Sequence, residues 1–160
     1  AEIDEVPSKT ELPDKYALRM AQGKAAVVAA KHLDAIVLAA DTVVACGRRI
    51  LPKAEDEKTA RQCLTLLSGR RHRVYTAVCV AHKETSRSKL VMTQVRFPRL
   101  SVKDINAYIA SGEWHGKAGG YAIQGKAETF IPWISGSYSN VVGLPLMETA
   151  QMLKAAGYAW

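Results

Sequence analysis

Ala35-Ile36-Val37-Leu38-Ala39-Ala40-Asp41-Thr42-Val43-Val44-Ala45-Cys46 is the stretch on which the fold turns. It is apolar almost throughout and rich in β-branched residues, so it reads as a buried strand. Asp41 interrupts it. An ionised carboxylate in such surroundings is costly unless something compensates it. A metal ion, a lysine or bound water could do so. The plainer alternative is a strand end where Asp41 merely caps the chain or reaches water.

Working outward, Gly47-Arg48-Arg49 turns the chain and Ile50-Leu51 returns as a hairpin. Upstream, Lys15 to Lys31 has helical spacing, with Ala17, Met20, Ala21, Val27 and Val28 on one stripe. Downstream, a second helix is predicted from about Glu55 to Leu67, with Ala60, Cys63, Leu64 and Leu67 inward and Gly69 as its stop. Two strands follow, Arg73 to Ala81 and Lys89 to Phe97, joined by a charged connection. In the second, Val91, Thr93, Val95 and Phe97 share a face. Ser101 caps a short helix, with Asp104 in its first turn, Val102, Ile105 and Ile109 inward and Gly112 as its end. Gly116 to Lys126 reads as a glycine-rich loop and Glu128 to Ile134 as a strand. Pro145 opens a last helix carrying Leu146, Ala150 and Leu153, closed by Gly157. Helix and strand patterns alternate, which argues an α/β fold.

A length of 160 residues fits one domain with a core of its own. No apolar stretch approaches the ~18 residues that span a bilayer, and Ala1 to Lys9 is too polar for a signal peptide. Cys46, Cys63 and Cys79 lack CxxC spacing and sit among apolar residues, as reduced core cysteines of an intracellular, cytoplasmic protein would. His32, His72, His82 and His115 are scattered, which leaves no histidine metal motif. The net charge of +7 points weakly to anionic partners. Nucleic acid is not expected, because the basic runs do not interleave with aromatics.

Several residues could carry chemistry. Lys24 lies on the apolar stripe of the first helix and either snorkels or reaches a buried anion. Lys53 precedes a helix start. The segment Gly116-Lys117-Ala118-Gly119-Gly120-Tyr121-Ala122-Ile123-Gln124-Gly125-Lys126 combines glycines with lysines, a composition suited to phosphate. It matches neither GxxxxGK[ST] nor GxGxxG. Gln124 offers a donor and an acceptor, as recognition of a base edge requires.

These residues fall into blocks. Ala40-Asp41-Thr42-Val43-Val44, Leu51-Pro52-Lys53 and Leu67-Ser68-Gly69-Arg70-Arg71-His72-Arg73-Val74-Tyr75-Thr76 come first. Lys117-Ala118-Gly119-Gly120-Tyr121-Ala122-Ile123-Gln124-Gly125 and Gly136-Ser137-Tyr138-Ser139-Asn140-Val141-Val142-Gly143-Leu144-Pro145-Leu146 follow. In that order the chain resembles the Maf family of nucleotide pyrophosphatases, and within it the members acting on dTTP and UTP. The resemblance implies one domain over residues 1–160, a Maf/ITPase-like mixed twisted sheet flanked by helices, with two lobes around a cleft. Family members open with a strand and a Ser-x-Ser-Pro-Arg-Arg segment. Ala1-Glu2-Ile3-Asp4-Glu5 resembles a segment roughly 25–30 residues further in. The first strand is therefore expected to be missing, leaving an unpaired sheet edge that invites self-association and a possible homodimer.

By the same resemblance, the reaction is hydrolysis of a pyrimidine nucleoside triphosphate to the monophosphate and pyrophosphate. Asp41 is the residue that prepares water. Lys24, Lys53 and Lys117 supply charge for the phosphates. Asp41 and Glu5 hold a divalent cation, Mg²⁺ or Mn²⁺. Thr42 and Gln124 read the base, while His72 and Thr76 are structural. A catalytically inactive nucleotide-binding or septum-related regulatory protein is the alternative reading.

Overall fold

The computed structural model describes residues 1–159. The chain runs α1 (Pro13–Ala29), β1 (Ile36–Cys46), β2 (Arg49–Leu51), β3 (Lys53–Ala54), α2 (Glu57–Leu67), β4 (Arg71–His82), β5 (Thr85–Arg96) and α3 (Val102–Ser111). It continues with β6 (Lys117–Ala118), a 3₁₀ helix (Lys126–Phe130), β7 (Trp133–Ser135), α4 (Tyr138–Val142) and α5 (Leu146–Ala155). The α/β fold expected from the alternation of patterns is present. The main sheet has the order β2-β1-β4-β5-β7, and β3 pairs with β6 in a separate ribbon. Each of these pairings is antiparallel.

Helix boundaries follow local chemistry. Asp56 caps α2 by accepting the Thr59 N–H, and Ser101 with Asp104 forms a full capping box on α3. The charged connection between the two long strands is narrower than its composition suggests. β4 and β5 pair from Arg71↔Arg96 to His82↔Thr85, which leaves only Lys83 and Glu84 in the turn. Cross-strand pairing extends a polar stretch that has no apolar face of its own.

β1 sits at the centre of the site, and its burial is one-sided. Val37 and Val43 face α1, packed with Ala77, Cys79 and Ala81 of β4 against Ala17, Ala21 and Ala25. Small side chains on both surfaces let the helix lie close to the sheet. The opposite face is covered by α2 and α3 only where Val44, Val74, Val95 and Phe97 stand. Leu38 on that face is 39% exposed, and Ala40 and Thr42 are only half-buried. The strand expected to be buried throughout is thus open along Leu38–Thr42, where no helix of the second lobe reaches it.

The edge of β1 differs along its length. β2 pairs with Val44–Cys46 alone, while β4 pairs on the other side from Ile36 to Ala45. Among the described residues, Ile36–Val43 therefore has one unpaired backbone edge, as the resemblance implies.

Three elements depart from expectation. Residues expected to extend as one strand from Glu128 form a 3₁₀ turn first, which places Phe130 against Phe97 and Tyr108 with ring centroids 5.3 and 5.7 Å apart. Only Trp133–Ser135 is strand. Val102 is 74% exposed at the first turn of α3, and Ile105, Tyr108 and Ile109 make the inward stripe. Leu146 is 63% exposed, because α5 buries Thr149 instead.

His72 is enclosed by Phe97 and Tyr121, with its Nε2 2.6 Å from the Tyr121 hydroxyl and Nδ1 unpartnered. Burial pushes its pKa down to about 4. Below pH 6.5 the unfolded chain takes up a proton that the folded protein refuses, so stability falls as pH drops. The loss attributable to His72 between pH 7 and pH 4 is about 3 kcal/mol. Urea unfolding at both pH values should show wild-type stability dropping by that much more than His72→Gln. Equal pH dependence in the two proteins would contradict the assignment.

Candidate active site

A cavity of about 500 Å³ opens over the uncovered part of β1, within the range of ordinary ligand sites. β1 supplies its floor through Ala40, Asp41, Thr42 and Val44. The β3–β6 ribbon supplies one rim: the Lys53↔Ala118 and Ala54↔Lys117 register brings both lysines to the cavity. The glycine-rich segment supplies the facing wall through Tyr121, Ala122, Ile123 and Gln124, and Val141 and Val142 close the far end.

The pattern of α1 places Lys24 beside its row of alanines, pointing at β1. Its Nζ donates to Asp41 Oδ1 at 2.7 Å and lies 3.2 Å from Glu5 Oε1. Lys53 Nζ is 3.6 Å from Glu5 Oε2. The Asp41 and Lys24 side chains are 9% and 19% exposed, so this pair is largely withdrawn from water. Burial alone would lower the Lys24 pKa, but the Asp41 carboxylate, with Glu5 behind it, outweighs that and raises it. The Lys24 hydrogen bond, aided by Lys53, holds the Glu5 carboxyl below its usual range. Of the two alternatives for Lys24, the buried anion holds. Asp41 is compensated by a lysine rather than by reaching water at a strand end.

Asp41 and Glu5 both contact the same ammonium group. Among the described residues no three His, Cys, Asp or Glu side chains converge as a self-sufficient metal cage. Two carboxylates at the mouth of a lysine-lined cavity do suit Mg²⁺ or Mn²⁺, hard cations that take their remaining oxygens from phosphate and water.

The lining of the cavity is chemically mixed. Lys24, Lys53, Lys117, Asp41 and Glu113 give it charge, while Val44, Val74, Ile123, Val141 and Val142 give it apolar surface. Thr42 and Gln124 add uncharged polar groups. Every site residue expected from the sequence except Glu5 lines this cavity. Glu5 joins through its lysine contacts and lines an adjoining pocket that shares Asp41, Thr42 and Lys53.

Two contributors were not expected. Glu113 lines the cavity and accepts the Lys126 N–H at 2.9 Å, bracing the end of the glycine-rich segment. Its only signal is a lone carboxylate between Gly112 and Trp114. Asn140 lies fully buried behind Thr42, bonded to Thr76 and Thr93. Nothing in the spacing of Ser137 to Gly143 distinguishes it from a loop asparagine.

The family of Maf-like proteins matches residues 1–156. The chain belongs to the Maf family. A dTTP/UTP pyrophosphatase of Paramagnetospirillum magneticum is 61% identical over 160 residues, covering 99% of this chain and 84% of the relative. One of Novosphingobium aromaticivorans is 61% identical over 157 residues, covering 98% and 78%. One of Rhodospirillum rubrum is 56% identical over 159 residues, covering 99% and 76%. Among the described residues, this Maf protein has no helix long and apolar enough to cross a membrane.

The wall of this Maf cavity depends on close approach. Gly119 has φ +72°, and a Cβ there would lie 2.7 Å from Val44 Cγ1. Gly112 has φ +71° with open space around it. Gly112→Ala should therefore cost only the conformational penalty, about 1–2 kcal/mol. Gly119→Ala should cost about 1–3 kcal/mol more through overpacking. Denaturant titration of the two variants checks this; equal losses would remove the packing argument.

Proposed function

We propose that the chain hydrolyses dTTP and UTP between the α and β phosphates, releasing the monophosphate and pyrophosphate. The observation that carries this reading is the Lys24–Asp41 pair lining a cavity that combines lysines with apolar surface. The names carried by relatives more than half identical support the substrate class.

The triphosphate brings concentrated negative charge, and Lys24, Lys53 and Lys117 provide fixed positive charge along one rim. Lys24 holds Asp41 through Oδ1, which fixes the carboxylate and leaves Oδ2 to accept a proton from water. As that water attacks the α phosphorus, its oxygen forms the new P–O bond and its proton passes to Asp41. The bond from the α phosphorus to the bridging oxygen breaks, and pyrophosphate leaves with the electron pair. Lys53 and Lys117 stabilise the charge that develops on it. When bound, a divalent cation held by Asp41 and Glu5 adds charge neutralisation of the phosphates. Withdrawal of Asp41 from water strengthens each of these couplings.

A pyrimidine ring packs against the apolar lining from Val44, Val74 and Val141, and Thr42 and Gln124 read its edge. A site built on such hydrogen bonds rejects bases that leave those groups unpaired.

Pyrophosphate release from dTTP, UTP, CTP, dATP and GTP tests the reading. Wild-type protein should favour dTTP and UTP, and Asp41→Asn should lower turnover by about 10²-fold or more while still binding nucleotide. Near-normal turnover would remove Asp41 from its role. Gln124→Glu should weaken the pyrimidine preference with the fold intact. Nucleotide binding with no pyrophosphate release by wild type would mark a catalytically inactive binding protein instead.

A further inference from the structure

Thr42 lines the cavity, and the buried groups around its hydroxyl set the polarity of that hydroxyl. Thr42 Oγ1 lies 2.8 Å from Thr76 Oγ1. Thr76 is wholly buried. It accepts from Asn140 Nδ2 at 2.8 Å and donates to the Asn140 carbonyl at 3.0 Å. A hydroxyl has one proton. Thr76 gives its proton to a buried carbonyl that has no other donor among the described residues, and leaving that carbonyl unpaired would be costly. Thr42 must therefore donate to Thr76. The other acceptor within reach of the Thr42 proton, the Gly143 carbonyl at 3.4 Å, is also part of the protein.

The asparagine is itself held. Its Oδ1 accepts from the Thr93 hydroxyl at 2.6 Å, and Thr93 Oγ1 accepts the Ser137 N–H at 2.9 Å. Turning the amide over would not release Thr76, which would then donate to Oδ1. In either orientation the proton of Thr42 points inward.

We infer that Asn140 and Thr76 are positioning residues for specificity. They make the Thr42 hydroxyl an acceptor only, so a base whose N3 lies against it must carry a proton there. Uracil and thymine carry one at N3, whereas the N3 of cytosine is a lone pair that would face another lone pair. Gln124 cannot make this choice, since its amide is exposed, lines the cavity and can turn to offer either end. The inference rests on the reading of this cavity as the nucleotide site.

Binding and turnover are measured separately, so that the two ideas can fail separately. The probes are α,β-methylene-UTP, its N3-methyl and 5-methyl derivatives, and α,β-methylene-CTP, titrated calorimetrically into the wild-type protein. The N3-methyl and cytosine compounds should bind at least about tenfold more weakly than the uracil compound, and the 5-methyl compound should bind nearly as well as it. Thr76→Val removes the acceptor at 2.8 Å and leaves the Thr42 proton only the Gly143 carbonyl at 3.4 Å, too long to hold it against the lone pair of a base, so the ratio of uracil to cytosine affinity should fall at least about fivefold. A merely structural role would weaken both alike and leave the ratio unchanged. N3-methylation without effect on wild type, or an unchanged ratio in folded Thr76→Val, overturns the inference. Should Thr76→Val fail to fold, the wild-type series decides alone. Uracil-selective binding without pyrophosphate release would sustain this inference and remove the hydrolase reading. Hydrolysis of UTP with indifference to N3-methylation would do the reverse, and no binding of any probe would overturn both.

Discussion

Lys24 reaches Asp41 across the boundary between a helix and a strand, and the rest of the site is arranged around that contact. A carboxylate with so little exposure, in a strand of apolar residues, would be a heavy liability if unpaired. The pair exists because α1 lies close on the sheet. Ala17, Ala21 and Ala25 recur every fourth residue and pack on Val37, Val43, Ala77 and Ala81. Lys24 stands beside that row, so its chain crosses a short gap and its ammonium arrives already oriented. Glu5 adds a second anion to the same ammonium. The acidic segment preceding α1 is thereby tied to the cavity mouth, and Lys53 is drawn toward it from the opposite side.

The apolar part of the lining is organised by different means. It comes from Val44, Val74, Val141 and Val142, and Val141 anchors the segment carrying the last two in the core. Hydrogen bonds add to that hold: Thr93 to Asn140, Asn140 to Thr76, and the N–H of Asn140 to Ser137 Oγ. Thr76, Thr93 and Asn140 have no exposure to water. A buried polar network of this kind is stable only when each member is satisfied, and that condition leaves it a single arrangement. Rigidity there is a by-product of avoiding orphaned groups.

Much of this was legible in the residues. Asp41 announced itself by standing in the wrong company, and Lys24 did so by occupying an apolar stripe; each anomaly was the other's explanation. Helix ends were readable wherever a side chain caps them, as at Ser101 and Asp104. The failures share a cause. Leu38 looks like core because only the path of the distant second lobe decides that its face stays open. Lys83 to Ser88 looks like loop because pairing with β4, not composition, makes most of it strand. The buried position of Asn140 was invisible, since it depends on partners 64 and 47 positions away. Signals carried by local periodicity or by a charge out of place survive in one sequence. Signals carried by non-local pairing do not.

Under the proposed function, the exposed lysines and the buried polar network divide the work of recognition. Lys53 is half-exposed, and Lys117 lies at the open rim. Their charges attract any triphosphate, weaken in salt, and cannot distinguish one base from another. Thr42, backed by groups without access to water, has no freedom to reverse its hydrogen bond. On that reading, exposed cations supply affinity common to all nucleotides, and a rigid neutral group converts it into preference, because only a rigid group can make a mismatched partner lose a hydrogen bond. The boundary between them falls at Asp41 and Thr42, adjacent residues whose side chains leave opposite faces of β1. On the proposed reading, one step along a strand separates the group that handles the phosphates from the group that reads the ring.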